Sequence, residues 1–145
     1  MAVGSDDIAR EKKRLPWGWG RFGKSLERIA EISEPDESLL SSCVGLNPDF
    51  EHRTRGVGVF IDMTKDTNVV FGLTDRRLII VATGIGGGPR GDDSIPLEGL
   101  EVAERAKKEF VLEWPDGRVH VRGAAKQMLP DFLDQLSARS AGAGN

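Results

Sequence analysis

One cysteine in 145 residues, Cys43, leaves no internal disulfide to be made and fits a reducing compartment. Only two histidines are present, His52 beside Glu51 and Arg53, and His120 between Val119 and Val121. Neither has a second histidine or a cysteine at ligand spacing, which argues against a zinc site and leaves few members for a nucleophile–histidine site. No apolar run approaches the ~20 residues needed to span a bilayer. The start, Met-Ala-Val-Gly-Ser-Asp-Asp, has no apolar core of a signal peptide, so a cytoplasmic address is expected. Residues 18–25 (Gly-Trp-Gly-Arg-Phe-Gly-Lys-Ser) match the P-loop pattern formally, but an aromatic head and not a strand precedes them, so no P-loop is expected.

Positive charge is scarce outside the first residues. Residues 1–24 hold six Lys/Arg against three Asp/Glu, a net of +3, whereas residues 25–145 hold fourteen against twenty, a net of −6. A folded body of that sign does not bind nucleic acid broadly, and it lacks the clustered cations that phosphorylated headgroups require. An anionic partner would have to be met by the basic head.

Glycine, by contrast, is abundant at 18 residues, and helical periodicity is confined to the two ends. Residues 1–23 read as a flexible basic-aromatic head, because glycines alternating with Trp17, Trp19 and Phe22 forbid a regular helix. Residues 24–34 read as a short helix carrying Leu26, Ile29, Ala30 and Ile32 at helical spacing, ended by Pro35. Residues 35–138 form the domain proper, and 139–145 a disordered tail.

Within the domain the pattern is one of short strands: 38–46, 57–61, 69–73, 77–83, 94–97, 100–106, 110–114 and 118–122. A turn is expected at Asn47-Pro48-Asp49 and a tight one at Pro115-Asp116-Gly117, where proline, aspartate and glycine supply the dihedrals of a reversal. The run Leu78-Ile79-Ile80-Val81 is apolar on both faces, which places that strand centrally and under cover from both sides. An amphipathic helix over 125–138 closes the chain, with Leu129, Phe132, Leu133 and Leu136 on one stripe; Pro130 is tolerable only in its first turns. The expected class is mainly β (α+β), an antiparallel barrel or sandwich of seven to eight strands with a C-terminal capping helix and a short N-terminal one.

The stretch Leu73-Thr-Asp-Arg-Arg-Leu-Ile-Ile-Val81 resembles the signature of bacterial pleckstrin-homology-like domains, in particular the short YokE-like group. The resemblance covers about residues 35–137 and implies a sheet plugged at one end by the C-terminal helix. It also implies an interaction module whose sheet edge can be extended by another strand or subunit.

Several motifs have plain structural readings. The loop Gly84-Ile-Gly-Gly-Gly-Pro-Arg-Gly91 contains a formal G-x-G-x-x-G, yet a strand and two carboxylates follow it where a dinucleotide site needs a helix N-terminus. Cys43 reads as a small core residue. Asp36-Glu37, Asp92-Asp93 and Asp62 with Asp66 read as turns and solvated edges, and Arg76 and Arg77 as partners of nearby carboxylates. Neither catalytic nor cofactor-binding residues are expected.

The head alone supports a sharper reading. Lys12, Lys13, Arg14, Arg21 and Lys24 interleave with Trp17, Trp19 and Phe22. The aromatic residues can fold back over the sheet, dock a protein, settle at an anionic membrane or stack on single-stranded nucleic acid. Protein binding or self-association is the expected mode of action, with peripheral attachment to anionic membrane as the alternative.

Overall fold

The computed structural model describes residues 4–52, 68–84, 86–115 and 117–143, and the expected strand at 57–61, with Asp62 and Asp66, lies outside them. Helix α1 spans Ser5–Lys12, a 3-10 turn Gly20–Phe22 and helix α2 Gly23–Ile32. Strands β1 to β7 follow: Leu39–His52, Val69–Thr74, Arg77–Thr83, Pro89–Pro96, Glu101–Arg105, Phe110–Trp114 and Gly117–Ala124. Helix α3 closes the chain at Leu129–Ala143. The seven strands make one open antiparallel sheet in the order β4-β3-β2-β1-β7-β6-β5. The expected mainly β class with a capping C-terminal helix is the architecture found.

The two halves of the sheet share β1. Its residues 39–45 pair with β2 and residues 45–52 with β7, so Gly45 faces Val69 on one side and Ala124 on the other. A Cβ there would sit 3.0 Å from Val121 and 3.1 Å from Phe71, so a larger residue would press on both side chains where the two halves meet. The turn expected at Asn47-Pro48-Asp49 is instead a bend inside β1. Asn47 takes a positive φ of 51°, which asparagine tolerates better than most residues, and the strand runs on to His52. His52, expected in a loop, thus ends a strand.

Both faces of β2 and β3 are covered. Phe71 points inward to a three-ring cluster with Phe110 of β6 and Phe132 of α3, the centroids 5.7–6.0 Å apart. Leu129, Phe132, Leu133 and Leu136 all turn into that core, as their spacing predicts, and Pro130 sits at the second helical residue, where no hydrogen bond is lost. On the opposite face α2 lies across the strands with Leu26 and Ile29 fully buried. A Cβ on Gly72 would come within 2.6 Å of the Ile29 side chain, so this glycine sets how closely helix and sheet approach.

The signature turn is held by a buried carboxylate. Thr74 accepts hydrogen bonds from the backbone N–H of Arg76 and Arg77 at 3.1 and 3.0 Å, which closes the reversal. Glu37, fully buried ahead of β1, accepts from Arg77 through Nε at 2.9 Å and Nη2 at 3.0 Å, from Thr74 Oγ1 at 2.6 Å and from the Glu34 N–H at 2.9 Å. Arg76 pairs with Asp36. Both arginines thus serve the fold through carboxylates that precede β1.

The head, expected to be flexible, instead carries α1 and the 3-10 turn, and its described residues, 4–23, dock on the body. Ile8 and Glu11, three apart on α1, are both buried. Glu11 accepts from Ser42 Oγ at 2.7 Å and from Arg10 Nε at 2.8 Å. Arg14 reaches Asp131 of α3 at 2.9 Å, and Ser41 Oγ donates to the same carboxylate at 2.6 Å. The glycine-rich loop, which the sequence marks only as a link between strands, is a cradle for this head. Gly87 has φ +86°, its carbonyl accepts from Ser25 Oγ at 2.7 Å, and a side chain there would collide with the Arg21 carbonyl.

Burial alone would raise the Glu37 carboxyl, but hydrogen bonds from Arg77, Thr74 and the Glu34 amide, with the Arg77 charge, hold it at about 2. A group lowered in the folded state stabilises above its unfolded value and loses that contribution as pH falls towards the folded value. Stability is therefore expected to drop between about pH 4.5 and pH 2, by an amount on the order of 3 kcal/mol from this residue. Urea midpoints across that range should show a shallower acid limb in Glu37→Gln than in the wild type, with Glu37→Gln already less stable at pH 7. Parallel limbs would contradict the assignment. Gly87→Ala should expose the head to trypsin at Lys12, Lys13, Arg14 and Arg21, and lower stability by about 2 kcal/mol, since the new side chain meets backbone at a strained φ. Unchanged cleavage rates would contradict the docking.

Candidate docking site on the N-terminal head

The eight residues expected to form one basic-aromatic surface divide into two sets. Phe22 is in the core at 1% exposure, and Trp19 is half-buried against it with ring centroids 5.9 Å apart. Lys12 pairs with Glu27 of α2 at 2.8 Å, and Arg14 is held by Asp131. Phe22, Trp19 and Arg14 thus serve the fold, while Lys12 is engaged in an exposed pair. Lys13, Trp17, Arg21 and Lys24 remain on the surface.

Trp17 is 99% exposed, the one exposed large hydrophobic side chain among the described residues. Its position follows from turn geometry. The Trp19 N–H donates to the Pro16 carbonyl at 3.0 Å, and Gly18 between them takes φ +87°. That is the arrangement of a type II turn, which needs a positive φ at its third residue and puts the second at the corner. The next turn closes through Phe22 N–H to the Trp19 carbonyl at 3.1 Å, so Trp19 and Phe22 anchor inward while Trp17 points out. Arg21 Nη1 donates to the Gly18 carbonyl at 3.3 Å, and its guanidinium lies 4.6 Å from the Phe22 ring centroid. The displayed indole thus stands on a braced support.

Beside the turn, α1 and α2 pack with a groove of about 390 Å³ between them, lined by Ile8, Ala9, Lys12, Glu27, Ala30 and Glu31. A second cleft of about 330 Å³ continues past Lys12 and Glu27 to Leu15, Gly20, Gly23 and Lys24. The sequence reading missed this groove, because it requires α1, and a helix from Ser5 to Lys12 with so few apolar residues has little periodic signal. Its one legible cue is end charge, with Asp6 and Asp7 in the first turn and Arg10 and Lys12 in the last.

Cys43 is fully enclosed, and burial pushes its thiol up to about 12, so it behaves as the core residue expected. His120 alternates outward from Val119 and Val121 and pairs with Glu109 in a cleft of about 370 Å³ that Glu104 and Arg105 also line. No third ionisable group joins that pair at hydrogen-bond distance among the described residues. Asp131 lies below the usual carboxylate range; its burial is outweighed by hydrogen bonds from Ser41 and Arg14. Among the described residues no group of three or more His, Cys, Asp or Glu side chains is placed to hold a metal, and no helix is long and apolar enough to cross a membrane.

Compared with known family models, curated proteins and solved structures, the chain matches none.

Proposed function

We propose that this chain is a non-catalytic interaction domain of the pleckstrin-homology-like type that works by binding protein through the turn displaying Trp17. The type is supported by the Leu73–Val81 signature together with an antiparallel sheet capped by the C-terminal helix. The single observation carrying the contact role is Trp17 at 99% exposure on a braced corner. Tryptophan is among the residues most enriched at the energetic centre of protein interfaces, because it buries a large area at low conformational cost. Binding without catalysis is supported by the engagement of Glu37, Asp131 and Cys43 in the interior and by the absence of a nucleophile facing His120 among the described residues.

The end strands of the sheet are weaker candidates for the contact. β4 lies between Pro89 and Pro96 with Asp92-Asp93 inside it, and β5 is five residues long with a register shift between Val102 and Glu104. Proline, charge, shortness and bulges are the features that discourage strand addition.

Attachment to anionic membrane is the second reading, favoured by exposed Lys13, Arg21 and Lys24 within seven residues of Trp17 in the sequence. Three cations at ~1 kcal/mol each, opposed by the body's negative charge, make a weak anchor, and protein binding is preferred on that ground. A photo-reactive benzoylphenylalanine replacing Trp17 in the full chain, in its native cell, is expected to join to protein. The same group replacing exposed Glu98 should join far less. Products with lipid alone would transfer the role to the membrane, and equal yields from the two positions would overturn it.

A further inference from the structure

The groove between α1 and α2 lies open in the single chain, and its shape and charge describe what fits it. Ile8, Ala9 and Ala30 supply an apolar lining, and Lys12, Glu27 and Glu31 a charged rim. At about 390 Å³ it lies at the small end of ligand-sized clefts, which run roughly 300–1,000 Å³.

The carboxylates on the rim are accessible. Glu27 and Glu31 side chains are 51% and 62% exposed, their present partners being Lys12 and Arg28 at 2.8 and 2.9 Å. Exposed pairs of this kind contribute little and exchange readily. The chain's own displayed aromatic side chain, Trp17, shares the N-terminal region with exposed Lys13, Arg21 and Lys24, the sign opposite to Glu27 and Glu31, and Arg21 donates to the Gly18 carbonyl of its turn at 3.3 Å. The N-terminal region therefore carries an aromatic knob near Arg21 and an apolar groove whose rim holds two carboxylates and Lys12, and in the single chain the knob is exposed rather than seated.

We infer that the occupant of the α1–α2 groove is Trp17 of a second copy of this chain. Knob and groove on one chain are what an isologous pair requires, each copy giving its indole and receiving the other's. This rests on the reading of Trp17 as the contact residue and names its partner. Two indoles, each burying up to about 250 Å², stay below the roughly 1,200–2,000 Å² of a standard stable interface. The dimer is accordingly weak, reversible and dependent on concentration.

The purified full chain carries the test. Sedimentation velocity over a concentration series should show a reversible monomer–dimer equilibrium. Trp17→Ala removes the knob and Ala9→Glu, at an exposed helical position, charges the groove. Each should weaken the dimer at least about 30-fold, with circular dichroism unchanged. Benzoylphenylalanine replacing Trp17 in the purified protein should give dimer-mass products joined to residues 8–12 or 27–31. A wild type that stays monomeric at its highest soluble concentration, an Ala9→Glu dimer as strong as the wild type, or crosslinks mapping outside the groove would overturn the inference. Those results leave the wider reading standing if the same group still joins to another protein in the cell. That reading falls only when the Trp17 and Glu98 positions behave alike there.

Discussion

Everything in this molecule follows from the need to cover β2 and β3 on both faces. A strand pair built from Val-Val-Phe-Gly-Leu and Leu-Ile-Ile-Val has no solvent face, so two layers must be recruited against it. One is the opposite half of the sheet with α3, joined at Phe71, Phe110 and Phe132. The other is α2, brought close because Gly72 leaves room for Ile29. The long strand β1, bent at Asn47, lets one sheet supply both the covered pair and part of its cover.

Covering apolar strands with short helices leaves polar groups inside, and the chain answers with buried or half-buried carboxylates. Glu37 fastens the signature turn to the segment ahead of β1, Glu11 fastens α1 to Ser42, and Asp131 fastens α3 to Ser41 and Arg14. Such groups are costly when unpaired and favourable only when their hydrogen bonds are complete, so they specify one arrangement more than they add stability. Their effect on function is indirect. They draw Arg14 into the fold, while Lys12 joins Glu27, and a head that is net basic in sequence shows a narrower surface of Lys13, Arg21, Lys24 and one tryptophan.

Legibility along the chain followed the range of the interactions involved. The hairpin at residues 69–83, the hairpin across Pro115-Asp116-Gly117 and the Leu129–Leu136 stripe were readable because turn chemistry and periodicity act between near neighbours. Asn47-Pro48-Asp49 carries the same turn signals but became a bend, because pairing with β7 keeps the strand extended beyond it. The head misled for a similar reason. Its glycines do break a helix at residues 18–20, but Ile8 and Glu11 find partners on β1 and α2 that no local pattern announces. Of the site, the composition was legible and the division was not: nothing local separates Trp17 from Trp19, two residues on.

By itself the sequence determined that this is a mainly β protein with one two-faced apolar strand pair, a C-terminal amphipathic helix, one inert thiol and a cationic, aromatic N-terminus. Those are matters of residue type, period and turn preference, and they act within a few positions along the chain. Only the tertiary structure decided which cations are neutralised, that the glycine loop is a cradle and that α1 and α2 leave a groove. It also decided that a type II turn at Gly18 sends one indole outward while its neighbour anchors the head. Each of these depends on which distant surface a side chain meets, and burial of the strand pair, not the local sequence, sets that.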